Sequence, residues 1–214
     1  MKVLVTGLIR LGEKKLIQLT KAVKLLPDTI AGAEIIKIEI PTVFTRSAEV
    51  LEEAIQKYRP DVVLDVGQAG GRSCMTVEKV AINLKEARIP DNDGEQPFDE
   101  PIREDGETAY FSTLPVKAMV ENMRAHGIPA HISYTAGTYV CNCIMYNALY
   151  LAAKKYLGVR AGFIHVPFEN GQVVDKANGT PFMSLEMIAK GLEYGIEAAV
   201  TTTDDVQKAM GETH

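Results

Sequence analysis

The stretch "DVVLDVGQAGGR", residues 61–72, joins a continuous aliphatic run to a turn holding three glycines. A short apolar run without alternation, closed by glycines, reads as a strand buried on both faces, the kind found in parallel sheets. Parallel neighbours require crossover connections, most often helices. The flanking sequence supplies them. Upstream, "RSAEVLEEAIQKYR" (46–59) is an amphipathic helix stopped by Pro60, and "AEIIKIEIPT" (33–42) is a strand. Before these, "EKKLIQLTKAVKLL" (13–26) has helical spacing and Val3–Thr6 forms a first buried strand ending at Gly7.

Downstream, "TVEKVAINL" (76–84) alternates as a strand, and residues 88–108 form a long polar loop of the kind that often carries function. "STLPVKAMVENMRAHG" (112–127) is a helix with Ser112 as its cap and Gly127 as its stop. Strands at 129–135 and 160–167 enclose a helix that begins near Cys141, and a last helix spans 184–200. The polar residues 201–214 are expected to fray. Alternating strands and helices predict a single α/β domain over 1–214, a three-layer α/β/α sandwich around a mostly parallel, mixed sheet.

Composition narrows the function. A net charge of −5 and a pI near 5.5 leave no basic face for nucleic acid and no polybasic membrane patch. No apolar run reaches the roughly 18 residues of a membrane span. "MKVLVTGLIR" reads as a strand rather than a signal peptide, and three cysteines, an odd number, suit a reducing cytoplasm. No His, Cys or Asp cluster has metal-ligand spacing, so no metal is expected.

In open α/β sheets, sites gather beyond the carboxyl ends of strands. Cys141 follows the small-residue turn "AGTY" and opens a helix, where free amides and the helix dipole favour a thiolate and are able to hold an oxyanion. Buried free cysteines are also ordinary small hydrophobes, the reading that suits Cys143. His165 interrupts the apolar strand "AGFIHVP" and is either a satisfied core residue or a general base. Glu78 lies on an alternating strand, solvated or partnered to a histidine. Arg72 and Arg88 flank glycine- and proline-bearing turns, each able to pair a carboxylate or polarise a carbonyl.

Taken together, "GRSCMTVEKVAIN", "ARIPDNDGEQPFDEPI", "TAYFSTLP", "TAGTYVCN" and "GFIHVPF" resemble, in order, the segments of the pyroglutamyl peptidase I family of cysteine peptidases, from Met1 to about residue 200. The resemblance implies removal of an N-terminal pyroglutamyl residue from peptides, no cofactor and a homotetramer. It assigns a triad to Glu78, Cys141 and His165, an oxyanion aid to Arg88 and pocket-lining positions to Gln68, Leu8 and Leu11. The sequence departs from the family at "GLIRLGEKKLIQL", where Leu8 and Leu11 replace two aromatic positions, Arg10 a proline and Glu13 a glycine. An apolar but thinner pocket wall follows. Two other readings compete: a transferase resembling nucleoside phosphorylases through its α/β architecture and "GQAGGR" turn, and a non-catalytic lactam- or peptide-binding relative with an impaired pocket.

Overall fold

The structure, a computed structural model, describes residues 1–9 and 17–211. The opening stretch forms β4 (Val62–Gln68), buried throughout except at its last residue. It lies between β1 (Lys2–Ile9) and β9 (Arg160–Val166), parallel to both. Outside β1 come β3 (Ala33–Pro41), parallel to it, and the short antiparallel β2 (Thr29–Ile30). Outside β9 come β5 (Met75–Glu78), antiparallel to β9, and β8 (Ala130–Ser133), parallel to β5. The seven-stranded sheet is therefore mixed and mostly parallel, in the order β2-β3-β1-β4-β9-β5-β8.

Helices cover both faces. α1 (Ile17–Lys24) and α3 (Val116–Ala125) both pack on α5 (Leu185–Thr201), while α2 (Phe44–Tyr58) packs on α4 (Val140–Lys154). Neighbouring strand residues point to opposite faces. On β9, Ile164 meets α5 at Gly195, whereas Phe163 and His165 turn to the α4 side. α5 lies close on the sheet because a Cβ at Gly191 would sit 2.1 Å from the Met75 sulfur.

Three local expectations are corrected. The strand expected over 76–84 breaks at Lys79: β5 ends in the main sheet, and β6 (Val80–Ile82) pairs instead with β7 (Ala109–Phe111). The cause is a competing partner, since the buried Asn142 side chain accepts from the Ile82 N–H (3.0 Å) and donates to the carbonyls of Ile82 and Leu84. Ser112 caps no helix. Pro115 disfavours helix at the residue before it, so α3 begins at Val116, and the Ser112 hydroxyl donates to the Ala161 carbonyl instead. Gly127 does stop the helix, in the left-handed region at φ +75°.

The C-terminal segment is tied down rather than frayed as far as residue 211. It has no regular structure, yet the Asp205 carboxylate accepts from the Lys117 and Ala118 amides (3.1 and 3.0 Å), supplying the cap that Ser112 does not. Lys208 pairs with Glu121 at 3.0 Å, and Met210 packs against the core. Asp205→Ala should therefore destabilise the fold by about 1 kcal/mol, lowering the midpoint of thermal unfolding by roughly 2–4 °C. Asp205→Asn, which keeps an acceptor, should lose clearly less in the same scan.

Candidate active site

The strand register assembles the site. Thr6, Asp65, Phe163 and Glu78 are successive register partners across β1, β4, β9 and β5, and Gly67, His165 and Thr76 form the adjacent row. All seven share the sheet face beneath α4. Because β5 runs antiparallel to β9, Glu78 stands beside Phe163 and reaches diagonally to His165. Its Oε1 lies 2.7 Å from His165 Nδ1, with Glu78 wholly buried and His165 4% exposed. The same Oε1 accepts from Arg72 Nη1 at 2.7 Å, and Arg72 also donates to the Thr76 hydroxyl.

This geometry fixes the chemistry of the imidazole. A carboxylate at Nδ1 holds the proton there and leaves Nε2 as the basic nitrogen. Burial pushes the His165 pKa down and Glu78 pulls it up, with a net fall below the usual histidine value. Burial raises Glu78, but the hydrogen bond from His165, the charge His165 carries once protonated, and the hydrogen bond from Arg72 together outweigh it, so the carboxylate stays below its ordinary range. A neutral imidazole beside an ionised carboxylate is the resting state at neutral pH.

Cys141 is the second residue of α4. The preceding turn passes through Gly137 at φ +80°, and the N-cap residue Tyr139 is extended and offers no side-chain cap. The first amide bonded within the helix is Cys143 N, which donates to the Tyr139 carbonyl. The Cys141 sulfur faces Gly67, where a Cβ would come within 2.9 Å of it and 2.6 Å of the Phe163 ring. Only glycine lets the helix end approach the sheet this closely. The surroundings work against the expected thiolate: loss of solvent pushes the thiol of the half-buried Cys141 up to about 12, the Glu78 charge adds to this, and Arg72 partly opposes it. A neutral imidazole lends no charge to offset the burial.

The other expected residues divide. Gln68 is half-buried, and its side-chain amide is paired reciprocally with Gln172, at 2.6 and 3.0 Å. Arg88 is exposed and forms no ion pair among the described residues, but its loop is fastened to the turn that leads into α4. There the Thr138 hydroxyl donates to the Glu86 carbonyl (2.8 Å) and the Tyr139 hydroxyl to the Pro90 carbonyl (3.1 Å). Leu8 is buried, on the same face as Thr6 by alternation, whereas Leu11, Arg10 and Glu13 lie outside the described residues. Cys143 is buried in the core cluster. Among the described residues no group of three or more His, Cys, Asp and Glu side chains is placed to hold a metal ion, and no helix is long and apolar enough to cross a membrane.

Several residues escaped the sequence reading. Asp91 is buried and accepts from the Phe44 amide at the start of α2 (2.9 Å), while Asn92 donates to the Ile9 carbonyl at the end of β1 (3.2 Å). The Arg88 loop is thereby anchored to two further elements. Asp65 is fully buried, accepts from the Thr6 hydroxyl at 2.6 Å, and has a second oxygen with no hydrogen-bond partner among the described residues. A lone aspartate inside "VVLDVG" was its only signal.

A thiol at a helix N-terminus above a buried carboxylate–imidazole pair, in an α/β/α sandwich, marks the class: the cysteine-type hydrolases. The family model of pyroglutamyl peptidase matches residues 1–202. The pyrrolidone-carboxylate peptidase of Enterococcus faecalis is 58% identical over the whole of both chains, and that of Streptococcus pneumoniae 55%. Among solved structures, the pyroglutamyl peptidase I of Bacillus amyloliquefaciens superposes with a TM-score of 0.93 at 43% identity, covering 97% of this chain and 99% of that one. The pyrrolidone carboxyl peptidase of Thermococcus litoralis gives 0.88 at 38% identity, covering 93% of each. The chain belongs to the pyroglutamyl peptidase family.

Burial pushes Asp65 from its ordinary 3.8 up to about 7, against the pull of the Thr6 hydrogen bond. The folded chain thus holds this proton more tightly than the unfolded chain. Stability from this group is therefore greatest below about pH 4 and is lost as the pH rises to about 7, by up to roughly 1.4 kcal/mol per pH unit. Urea unfolding of the wild type and of Asp65→Asn at pH 5 and pH 7.5 should show the substitution removing part of the loss.

Proposed function

We propose that this chain is a cysteine exopeptidase that removes an N-terminal pyroglutamyl residue from peptides, with Cys141 as nucleophile, His165 as acid and base, and Glu78 as the group orienting His165. The observation that carries the reading is the 2.7 Å Glu78–His165 bond, which leaves Nε2 free beside a helix that begins with a thiol. Family membership supports the substrate class.

The thiol and imidazole are both neutral at rest, so proton transfer accompanies attack rather than preceding it. His165 Nε2 takes the thiol proton as Sγ bonds to the pyroglutamyl carbonyl carbon. The oxyanion is received by the Cys141 amide, with the exposed Arg88 guanidinium as a second aid. Glu78 stabilises the imidazolium without taking its proton. The imidazolium then protonates the departing amine, the C–N bond breaks and a thioester remains. Water, activated by the same imidazole, attacks the thioester, returns the thiol and releases pyroglutamate. A neutral lactam suits the apolar side chain of Leu8, where a free glutamate would leave a charge unsolvated.

A homotetramer in the cytoplasm belongs to the same proposal, and three cysteines with no disulfide between them suit a reducing compartment. The phosphorylase reading finds little support. Arg72, the one cation of the "GQAGGR" turn, is committed to Glu78 and does not stand free for phosphate.

Turnover of a pyroglutamyl arylamide tests the assignment. Cys141→Ala should abolish it and Cys143→Ala should retain it, while Glu78→Gln should lower kcat by roughly 10³–10⁴-fold. A base with a depressed pKa stays unprotonated further into acid, so the acid limb of kcat/KM should lie below the usual histidine value of about 6.5. A wild-type rate no higher than that of Cys141→Ala would instead favour a binding protein with an impaired pocket.

A further inference from the structure

We propose that Arg72 is a positioning residue of this site: it shares the Oε1 of Glu78 with His165, fixing the carboxylate and opposing a positive charge on the imidazole. The inference rests on the reading of His165 as acid and base. Its geometry is independent of substrate. Arg72 Nη1 lies 2.7 Å from Glu78 Oε1, the atom that His165 Nδ1 also reaches at 2.7 Å. Nη1 also meets the Thr76 hydroxyl, and Nη2 reaches the Thr135 carbonyl at 3.4 Å. The guanidinium is therefore held by β5 and by the segment after β8. Glu78 Oε2 has no hydrogen-bond partner among the described residues, so a single oxygen carries both contacts.

Two cationic donors on one carboxylate oxygen compete. When His165 has taken the thiol proton, its imidazolium shares Oε1 with a permanent positive charge. The imidazolium is destabilised and becomes a stronger acid toward the leaving amine. The other charged and titratable groups turned toward His165 do not substitute for this cation. Glu78 on β5 and Asp65 on β4 are acids, and Cys141 on α4 is a thiol. His131 of β8, in register with Thr76, is exposed and bonded to Arg124. The shifts agree in sign, Arg72 lowering both His165 and Cys141.

The test titrates His165 by NMR in histidine-labelled protein, its signal assigned by comparison with His165→Gln, in the wild type, Arg72→Lys and Arg72→Met. Folding is checked by thermal unfolding. Arg72→Met should raise the His165 midpoint by about one pH unit, and Arg72→Lys, which keeps the charge, should stay near the wild type. The acid limb of kcat/KM on a pyroglutamyl arylamide should move upward by the same amount in Arg72→Met. A His165 midpoint unmoved in folded Arg72→Met, or moved equally in Arg72→Lys, overturns the proposal. The titration needs no turnover, so an inactive wild type would sink the peptidase reading while the midpoints still decide the role of Arg72. If Arg72→Met does not fold, the midpoint in Arg72→Gln decides in the same way.

Discussion

The hydrogen bond between His165 and Glu78 is the constraint on which the rest of the site depends. Both groups are taken out of water, and a buried carboxylate without a partner costs several kcal/mol. The partners exist because β9 and β5 run antiparallel in one defined register. A slip of one residue would turn Glu78 to the other face of the sheet, against α3 and α5, and strand it without imidazole or guanidinium. The register is in turn held by burial on both sides, with Phe163 packed under α4 and Ile164 under α5.

The thiol depends on the same frame. Cys141 meets the pair because Gly67, in register with His165, leaves room for the first turn of α4. Asn142, the next residue, points away from the site and clamps the backbone at Ile82 and Leu84, so helix and strand cannot drift apart. Closeness has an electrostatic consequence: packing the half-buried thiol against the sheet and near the Glu78 charge raises its pKa. Asp65 beneath the site shares that low-dielectric setting and is held well above the ordinary carboxylate range.

Much of this was readable along the chain. The buried run at 62–68, the helical spacing of 46–59 and 184–200 and the glycine stop at 127 are local effects of periodicity and backbone sterics, and they appear nearly where expected. Other expectations failed where a distant partner outcompeted a local preference. The alternation at 76–84 is genuine, yet Asn142, about sixty residues on, draws Ile82 out of the sheet. Ser112 has the chemistry of a cap, but Asp205, 87 residues beyond the Ala118 amide it accepts from, provides it. Gln68 closes β4 where the turn was expected, and its pairing with Gln172 could not be read from either neighbourhood.

By itself the sequence determined the α/β class, the order of elements and the residue types that chemistry requires: a cysteine at a helix start, a histidine in an apolar strand and a glutamate among valines. Each of these is set by neighbours within a turn or a strand. Only the tertiary structure decided that Glu78 meets His165 diagonally, that Arg72 joins them on one oxygen, and that the thiol lies against Gly67. Those outcomes depend on strand direction, register and burial, which arise when residues as much as 87 positions apart are brought together.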